Sequence, residues 1–497
     1  MPLKTQQFVL LPTRGLRAAA SNSTFALREF LGGVGTSATR GGALGMEVAE
    51  TMPVQMRVLD SIHSDGPKLV EMAPDSTSAL RANQPGIRIA PVVYYRPALA
   101  PRFEIKSAPK AAKAAVRLKL QIVSKHDGRP VVGAFVVAFT DFANRLGAQT
   151  TTNKKGEASL TLGGSSKKVE RLYVYPSSGF WSAFKKNLTL ISGMKIGLEP
   201  VTLNFTDVLR YFYGRATENA GAGVKVGVID AGIDTKHPDL NVNGGANTVV
   251  GENPNEYGDN GKHHGTHVAG IIAARGLPPT GLRGLAPAVT LYSYRVFGKN
   301  QGEASNYAIV KAIDRAILDG CDLINMSLGG GPLDIAIQDA IEYARAQGCL
   351  VIVAAGNDDR SPVSFPASDS LAIAVSAMGR KKTFPSGTAD AGDVASPYGK
   401  DKKNFVAAFS NIGPEIDLTG PGVAILSTVP GGYTPMSGTS MACPAITGFA
   451  AKLLSTRADI LGMPRSPARS EAITQALLQA AKPLGFGPRY EGQGLPR

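Results

Sequence analysis

Val224-Lys225-Val226-Gly227-Val228-Ile229-Asp230 is the stretch of this sequence that decides the fold. The run is short, rich in β-branched residues and bounded by glycines, so it predicts a buried strand of a parallel sheet. Open α/β sheets build their binding and catalytic sites beyond the carboxyl ends of such strands. Asp230 ends the run, and its carboxylate is therefore expected at the functional edge of the sheet.

Two further polar residues stand where helices are predicted to begin. His264 opens a segment that continues with the apolar run Val268–Ala274, and Ser440 lies just ahead of another apolar run, Ala445–Ala451. Both runs predict helices packed against the sheet. Gly438, two residues before Ser440, has no side chain and so lets the backbone approach a substrate closely.

Asp230, His264 and Ser440 together supply the residue types of an activated serine nucleophile. The hydroxyl needs a base to take its proton, and the base needs a carboxylate that holds its tautomer and stabilises its charge. Asn357 ends a fourth segment, the predicted strand that begins at Cys349, and its amide is a candidate donor to an oxyanion. Each residue alone is explained by a cap or a turn, but the four in combination predict catalysis.

The chain resembles the subtilisin-like serine peptidases over about residues 205–485. The segments that carry the resemblance are VIDAGIDTKHPDL (228–240), HGTHVAG (264–270), NMSLGG (325–330), VAAGN (353–357) and GTSMACP (438–444). The resemblance implies that Asp230, His264 and Ser440 form a catalytic triad and that the reaction is hydrolysis of peptide bonds. It also implies that Asn357 and the backbone N–H of Ser440 bind the oxyanion.

The same resemblance implies where a substrate backbone binds. Ser327, Leu328 and Gly329 are expected to pair with the substrate on one side of the cleft. Gly302 and its neighbours are expected to pair with it on the opposite side.

The resemblance also implies that Ser364 lies at the small floor of the pocket for the residue before the scissile bond (P1). Ala355 and Gly356 are further expected substrate-binding residues. No acidic residue stands at that floor. The expected preference is therefore broad and favours large apolar or aromatic P1 side chains.

No cofactor is expected from this chemistry, and no metal ligand is assigned. Asp239 matches a position that ligates calcium in many members of the family. The loop Gly276–Gly281 lacks the asparagine that usually helps to complete that site. The sequence therefore supplies only part of a calcium site.

The 497-residue chain has the composition of a globular protein, with 43% apolar and 19% charged residues. No apolar run approaches the length of a membrane span. The formal net charge of +14 would suit binding to nucleic acid, but no motif of interleaved basic and aromatic residues accompanies it. The preferred interpretation is a solvated basic surface, and no nucleic-acid partner is expected. Three cysteines give no disulfide framework. No secretory signal peptide is recognised, which leaves a cytoplasmic protein or another export route open.

Residues 1–97 predict a small α+β domain. The predicted order is strand, helix, two strands, helix and strand, at residues 7–12, 23–31, 54–62, 68–72, 76–83 and 87–95. This order implies a ferredoxin-like antiparallel sheet with two helices on one face. The domain resembles the inhibitory propeptide of subtilisin-like zymogens. Residues 98–114, rich in Pro, Ala and Lys, predict an exposed linker.

Residues 115–200 predict a β-sandwich, because short alternating strands are separated by turn signals. The region resembles Ig-like or transthyretin-like modules that act as spacers or position substrates, and Trp181 is expected to pack against it. Residues 205–497 predict an α/β catalytic domain with a mostly parallel sheet covered by helices. Within that domain, Gly379–Ala408 is expected to form a basic surface flap.

The leading hypothesis is a serine endopeptidase made as a zymogen, whose substrates are proteins or peptides. The chain after residues 87–95 is expected to lie in the substrate cleft as an added strand, with Tyr94 or Tyr95 at P1 and the N-terminal domain as intramolecular inhibitor. Two alternatives stay open at this point. One is a hydrolase that uses the same residues on esters or amides, and the other is a binding protein that keeps the fold.

Overall fold

The computed structural model describes residues 5–18, 56–106 and 115–497. Its N-terminal unit is a four-stranded antiparallel sheet in the order β2-β3-β1-β4. The strands are β1 (Gln6–Leu11), β2 (Met56–Ser61), β3 (Lys68–Met72) and β4 (Arg88–Pro91), and helix α1 (Ser76–Asn83) precedes the last of them. The predicted helix at 23–31 lies outside the described residues.

The last predicted strand of this unit, residues 87–95, is divided in two. The chain leaves the N-terminal sheet after Pro91, and Tyr94–Pro97 forms a separate strand, β5. Strand β5 pairs with two short strands of residues 205–497, the predicted catalytic domain, which is called the catalytic unit below: β16 (Ala304–Ser305) and β18 (Leu328–Gly329). The N-terminal unit is thus joined to the rest of the molecule by backbone pairing.

The middle unit, residues 115–198, consists of two sheets with the orders β11-β10-β7-β8 and β12-β6-β9. Their facing side chains form one apolar cluster that includes Leu120, Ile122, Val136 and Val174. Three of its strands, at residues 146–151, 183–189 and 195–198, are not in the sequence prediction, and the first two have few buried residues. The strands are β6 (Ala115–Ser124), β7 (Phe135–Asp141), β8 (Leu146–Thr151), β9 (Glu157–Gly163), β10 (Lys168–Tyr175), β11 (Ala183–Thr189) and β12 (Lys195–Leu198).

Trp181, which is expected to pack against the middle unit, belongs to an apolar cluster other than that of the middle unit. Its side chain is fully buried in the apolar cluster of the catalytic unit, with its ring 4.9 Å from that of Phe205. The indole therefore lies at the junction and fixes the middle unit to the catalytic unit.

The catalytic unit contains a nine-stranded sheet in the order β14-β15-β13-β17-β19-β20-β22-β21, with β23 also paired to β20. The pairs from β14 through β20, and that of β23 with β20, are parallel. These strands are β13 (Lys225–Asp230), β14 (Val242–Asn247), β15 (Thr290–Arg295), β17 (Leu323–Met326), β19 (Leu350–Ala354), β20 (Ile373–Arg380), β21 (Val394–Tyr398), β22 (Asn404–Ala407) and β23 (Leu418–Pro421).

Apolar side chains of the central strands point to both faces, and helices cover each face. Val228 belongs to one core cluster with α3 (His264–Ala273) and α6 (Thr439–Leu454). Ile229 belongs to the other cluster, with α4 (Asn306–Leu318) and α5 (Ile335–Ala346). The remaining elements are α2 (Val208–Tyr213), β24 (Ile425–Val429), β25 (Gly432–Met436), α7 (Ala458–Leu461), α8 (Pro467–Gln479), β26 (Ala481–Lys482), α9 (Pro488–Glu491) and β27 (Leu495–Pro496).

The segment Gly379–Ala408 is not a surface flap as a whole. Strands β21 and β22 extend the main sheet by antiparallel pairing, and all four residues of β22 are buried. A short 3₁₀ helix, Ala389–Asp393, precedes them and contacts the middle unit. There the Ser182 hydroxyl accepts a hydrogen bond from Ala389 N. Across the described ranges, the structure has no helix that combines the length and apolar character needed to cross a bilayer.

Candidate active site

Asp230 and His264 meet at the carboxyl edge of the sheet. His264 Nδ1 lies 2.7 Å from Asp230 Oδ1, and both side chains are almost completely buried. Gly265 permits this approach, because a Cβ there would lie 2.3 Å from the carbonyl oxygen of Gly232. An ionised carboxylate can only accept, so Nδ1 carries the proton and Nε2 presents its lone pair. Nε2 has no hydrogen-bond partner in the described part of the chain.

Ser440 lies in the first turn of α6. Pro444 lies beyond that turn, inside the helix, and the carbonyl oxygen of Ser440 that its missing N–H would have bound accepts a hydrogen bond of 2.9 Å from Ser327 Oγ instead. Ser440 Oγ donates a hydrogen bond of 2.9 Å to the carbonyl oxygen of Ser327. The Ser440 backbone N–H donates one of 2.9 Å to the carbonyl oxygen of Ala98. A carbonyl of the chain itself is therefore held against the amide predicted to bind an oxyanion.

Asn357 contributes a second donor beside this carbonyl site. Its Oδ1 accepts from Thr439 N at 2.8 Å and from Thr439 Oγ1 at 3.1 Å, which fixes the orientation of the amide. The buried Nδ2 has no hydrogen-bond partner among residues 5–18, 56–106 and 115–497. An oriented donor without a partner matches the requirement for stabilising charge that develops only during a reaction.

The segment from Tyr94 to Ala100 lies in the cleft in the manner of a bound peptide. Strand β5 runs between β18, where Leu328 faces Pro97 and Gly329 faces Arg96, and β16. Further backbone bonds follow, from Ala98 N to Ser327 O at 3.0 Å and from Ala100 N to Ser437 O at 2.9 Å. The predicted pairing residues Ser327, Leu328 and Gly329 are thus all in contact with the segment.

On the opposite side, the paired residues are Ala304 and Ser305, which face Tyr95 and Tyr94. Gly302 lies just before this pair and is exposed. Ala304 and Ser305 are neighbours of the predicted residue Gly302, and Gly302 itself lies outside the paired register.

Gly438 lines the path of the seated segment. Its φ is +151°, and a Cβ at this position would lie 2.6 Å from the carbonyl oxygen of Ala98 and 3.0 Å from Ala100 N. A side chain would therefore collide with the peptide on both sides of the Ala98–Leu99 bond. The sequence analysis expected glycine here because it lets the backbone approach a substrate closely, and Gly438 approaches the seated segment in this way.

Tyr95 lies in a deep pocket that the sequence did not reveal. The side chain is completely buried, its hydroxyl donates to Pro332 O at 3.0 Å, and its ring is 6.3 Å from that of Phe365. A Cβ on Gly331 would lie 2.3 Å from the Tyr95 ring. The only sequence signal was the glycine run that ends at Gly331.

The register of β5 does not bring Tyr94 or Tyr95 to the P1 position. Ala98 is the residue whose carbonyl faces Ser440 N, and Tyr95 lies three residues earlier. The physical reason is the pairing of Pro97 with Leu328, which fixes the register whatever the size of the nearby side chains.

Ser364, the residue predicted at the floor of the P1 pocket, lies together with the predicted substrate-binding residues Ala355 and Gly356. Ser364 Oγ donates to the carbonyl oxygen of Ala355 at 3.1 Å. A Cβ on Gly356 would lie 2.6 Å from Ser364 Oγ, and one on Gly329 would lie 3.0 Å from it. Gly329 and Gly356 therefore both lie close to the Ser364 hydroxyl, which forms the floor of the pocket.

The other histidines near these motifs have structural contacts. His267 is fully buried, and its Nε2 lies 3.1 and 3.0 Å from the carbonyl oxygens of Ile425 and Thr434. Burial lowers the pKa of His267 to about 3, so the ring is neutral and donates from Nε2. Cys443 is buried beside Asn325, and desolvation raises the pKa of its thiol well above the ordinary value.

The surroundings of Asp239 do not fit a calcium ion. Its Oδ2 accepts from Leu282 N at 2.7 Å and from the Tyr433 hydroxyl at 2.9 Å. These are donors, whereas calcium needs several oxygen acceptors around it. The described residues contain no cluster of three or more His, Cys, Asp or Glu side chains suited to a metal ion.

Comparison with known proteins agrees with this architecture. The pattern of the subtilase family matches residues 221–494, more than half of the chain. The chain is 40% identical over 240 residues to subtilisin DY of Bacillus licheniformis, covering 47% of this chain and 78% of the relative. It is 41% identical over 240 residues to subtilisin E of Bacillus subtilis (strain 168), covering 47% and 56%. It is 39% identical over 232 residues to subtilisin Savinase of Lederbergia lenta, covering 46% and 76%.

The chain therefore belongs to the subtilase family. It is a serine endopeptidase, a hydrolase that acts on the peptide bonds of protein substrates.

Proposed function

We propose that Ser440 is the nucleophile, His264 the general base and Asp230 the carboxylate that orients it. Asn357 Nδ2 and the Ser440 backbone N–H are the proposed oxyanion donors. Two observations support this most directly: the Ala98 carbonyl is bound by Ser440 N, and Asp230 and His264 form a buried hydrogen-bonded pair.

The reaction begins with a rotation of the Ser440 side chain. The hydroxyl leaves the carbonyl of Ser327 and turns toward His264 Nε2, which takes its proton as Oγ bonds to the substrate carbonyl carbon. The carbonyl π electrons move to the oxygen, where Asn357 and Ser440 N donate hydrogen bonds. His264 then gives its proton to the leaving amine, and water releases the acyl group by the same steps.

Replacing Ser440 with alanine tests the nucleophile. Ser440→Ala is expected to abolish hydrolysis of a peptide anilide and labelling by a sulfonyl fluoride, because no other hydroxyl has the same position. Ser455→Ala, at the other end of α6, is the matched control and should retain both. Retained hydrolysis in Ser440→Ala, or a label on another residue, would contradict the assignment.

We further propose that the protein is made as a zymogen, with residues 1–97 as its intramolecular inhibitor. Backbone pairing of β5 and burial of Tyr95 support this proposal, since they fill the cleft that a substrate needs. The contacts of Ala98 support cleavage of the Ala98–Leu99 bond.

N-terminal sequencing of the purified proteins tests the zymogen proposal. Wild-type protein should begin at Leu99 after it has lost an N-terminal fragment, while Ser440→Ala should stay intact. A wild-type chain that remains full length and fully active would refute the proposal.

A broad P1 preference for large apolar or aromatic residues is proposed from the pocket chemistry. The floor carries the Ser364 hydroxyl, and the nearby Asp358 carboxylate accepts from the Asn411 amide at 2.8 Å. Peptide anilides that differ only at P1 should be cleaved about tenfold or more faster with Phe than with Arg, because only Phe buries its whole side chain. A strict requirement for Arg or Lys would refute this preference.

We also propose that the N-terminal unit is a ferredoxin-like α+β domain and the middle unit an Ig-like β-sandwich. The strand order β2-β3-β1-β4 supports the first, and the apolar cluster between two sheets supports the second. No calcium is proposed at Asp239.

A further inference from the structure

The outward face of one sheet in the middle unit is aromatic, although the exposed face of a two-sheet structure is ordinarily polar. Strand β7 alternates so that Val136 and Ala138 enter the core while Val137 and Phe139 point outward. The neighbouring strands and the loop after β7 add further rings. We call the set Phe139, Phe142, Tyr173, Tyr175 and Phe184, together with Arg145, the aromatic face.

The chain segment just after the Ala98–Leu99 bond covers this face. The Phe103 ring lies 5.2 Å from that of Phe142 and 5.0 Å from that of Tyr173. The guanidinium carbon of Arg145 lies 4.7 Å from the centroid of the Phe103 ring. Phe103 is therefore bound by two rings and one cation.

Backbone groups of the segment are bound as well. Ile105 N donates to Gln149 Oε1 at 2.7 Å, and Lys106 N donates to the carbonyl oxygen of Arg145 at 3.2 Å. Contacts of this kind recognise an extended polypeptide through atoms that every residue has. The aromatic contacts add selectivity at one position.

The aromatic face is held at a fixed place relative to the cleft. Phe184 N donates to the carbonyl oxygen of Gly387, and Ser182 Oγ accepts from Ala389 N. Asp390, on the same 3₁₀ helix, accepts from the hydroxyl of Ser437, whose carbonyl binds Ala100 N. One continuous set of contacts thus runs from Ser440 to the aromatic face along residues 98–106.

We propose that the aromatic face is an exosite for the part of a substrate that follows the scissile bond. It binds an extended polypeptide with an aromatic residue five positions after that bond, and residues 102–106 occupy it in this chain until a substrate displaces them. The proposal rests on the assignment of Ser440 as the nucleophile and of Ala98 as the seated P1 residue.

Two quenched fluorescent peptides test the exosite. Both carry Tyr-Arg-Pro-Ala before the bond and Leu-Ala-Pro-Arg-X-Glu-Ile-Lys after it, where X is Phe in one and Ala in the other. In the processed Phe103→Ala enzyme, which lacks the ring that covers the face and so holds residues 102–106 less tightly, the Phe peptide should have a kcat/KM about five- to tenfold higher than the Ala peptide, mainly through KM.

Matched variants assign that ratio to the face. Adding Arg145→Ala to Phe103→Ala should bring the ratio close to one, while adding Arg129→Ala, an exposed arginine elsewhere on the middle unit, should leave it unchanged. A peptide anilide that ends at P1 should be cleaved equally by all these enzymes, which shows that the catalytic unit is intact.

The outcomes separate the two proposals. A ratio of one in the Phe103→Ala enzyme, with the anilide still cleaved, would overturn the exosite. Failure to cleave the anilide would count against the proposed catalytic residues instead. In that case fluorescence anisotropy tests the exosite. Labelled Leu-Ala-Pro-Arg-Phe-Glu-Ile-Lys should bind the Phe103→Ala protein more tightly than the same peptide with Ala in place of Phe. Equal binding of the two peptides would overturn the exosite.

Discussion

His267 lies one turn along α3 from His264, yet the environments of the two rings differ. The partners of His267 are two backbone carbonyls, and burial keeps the ring neutral. The partner of His264 is a carboxylate, and its outer nitrogen is unpaired in the described residues. Carbonyl partners hold a ring in place, whereas a carboxylate partner also stabilises the positive charge that a general base acquires.

Replacing His267 with glutamine should make the free energy of unfolding depend less on pH below pH 6.5. The folded pKa of about 3 lies below the ordinary 6.5, so the unfolded chain takes up the proton first. Stability from this group is complete above pH 6.5 and falls by about 1.4 kcal/mol per pH unit as the pH drops toward 3. Denaturant unfolding of Ser440→Ala and Ser440→Ala/His267→Gln between pH 7 and pH 4 measures this, and parallel profiles would contradict it.

Asn357→Ala should lower kcat with little effect on KM. Loss of one oxyanion donor in the related subtilisin costs about 100- to 1000-fold in kcat, and the unpaired Nδ2 has the corresponding position here. Asn357→Asp is the matched variant, because it can still accept from Thr439 N while losing the amide donor. If either variant kept a wild-type kcat, Asn357 would not be an oxyanion donor.

At the scale of elements, the cleft is completed by two very short strands, β16 and β18. Each contributes only two residues, and β5 lies between them and pairs with both. Their specificity comes from the loop after β18, where Gly331 leaves the space that the Tyr95 ring fills. Short strands therefore hold the backbone, and the nearby Gly331 selects the side chain.

Gly331→Ala should reduce the preference for an aromatic residue three positions before P1. The added Cβ would overlap the seated ring, so a peptide with Tyr there should lose about tenfold in kcat/KM relative to the same peptide with Ala. The comparison uses one enzyme and two anilides, which cancels any general loss of activity. An unchanged Tyr-to-Ala ratio would show that the ring binds elsewhere.

The sequence predicts the polar residues of the site because each follows a local rule. Asp230 ends a buried strand, and Ser440 begins a helix after Gly438, so their neighbourhood follows from the topology of a parallel sheet. The identity of the seated residue does not follow, because a one-residue change in register would be equally compatible with the sequence around Tyr95. The pocket of Tyr95 is likewise invisible, since Gly331 and Phe365 meet only after folding.

At the scale of the molecule, charge complementarity holds the N-terminal unit to the catalytic unit. His63 and Arg17 face the buried Asp314 on α4, and Arg88 pairs with Asp339 on α5 at 2.5 Å. One further pair runs in the opposite sense, from Lys311 to Asp60. Ion pairs at such a partly exposed interface are weakened when the salt concentration rises.

Release of the cleaved N-terminal unit should therefore be faster at high ionic strength. Arg88→Gln should raise the dissociation rate by about tenfold at low salt, because it leaves Asp339 without its main partner. Arg81→Gln, on the exposed side of α1, is the control and should behave as wild type. The dissociation rate is measured by the appearance of anilide hydrolysis after dilution. A rate that changes neither with salt concentration nor with Arg88→Gln would contradict the charge argument.

The contacts on both sides of the Ala98–Leu99 bond have a consequence for chemical equilibrium. Before the bond, β5 stays paired with the cleft, and after it Ala100 stays bound to Ser437 and Phe103 to the aromatic face. A cut made there leaves the new amine of Leu99 beside the acyl carbon that it has just left, at a very high effective concentration. Resynthesis of the bond then competes with hydrolysis, so the first cut is reversible and becomes permanent only when one of the two ends departs.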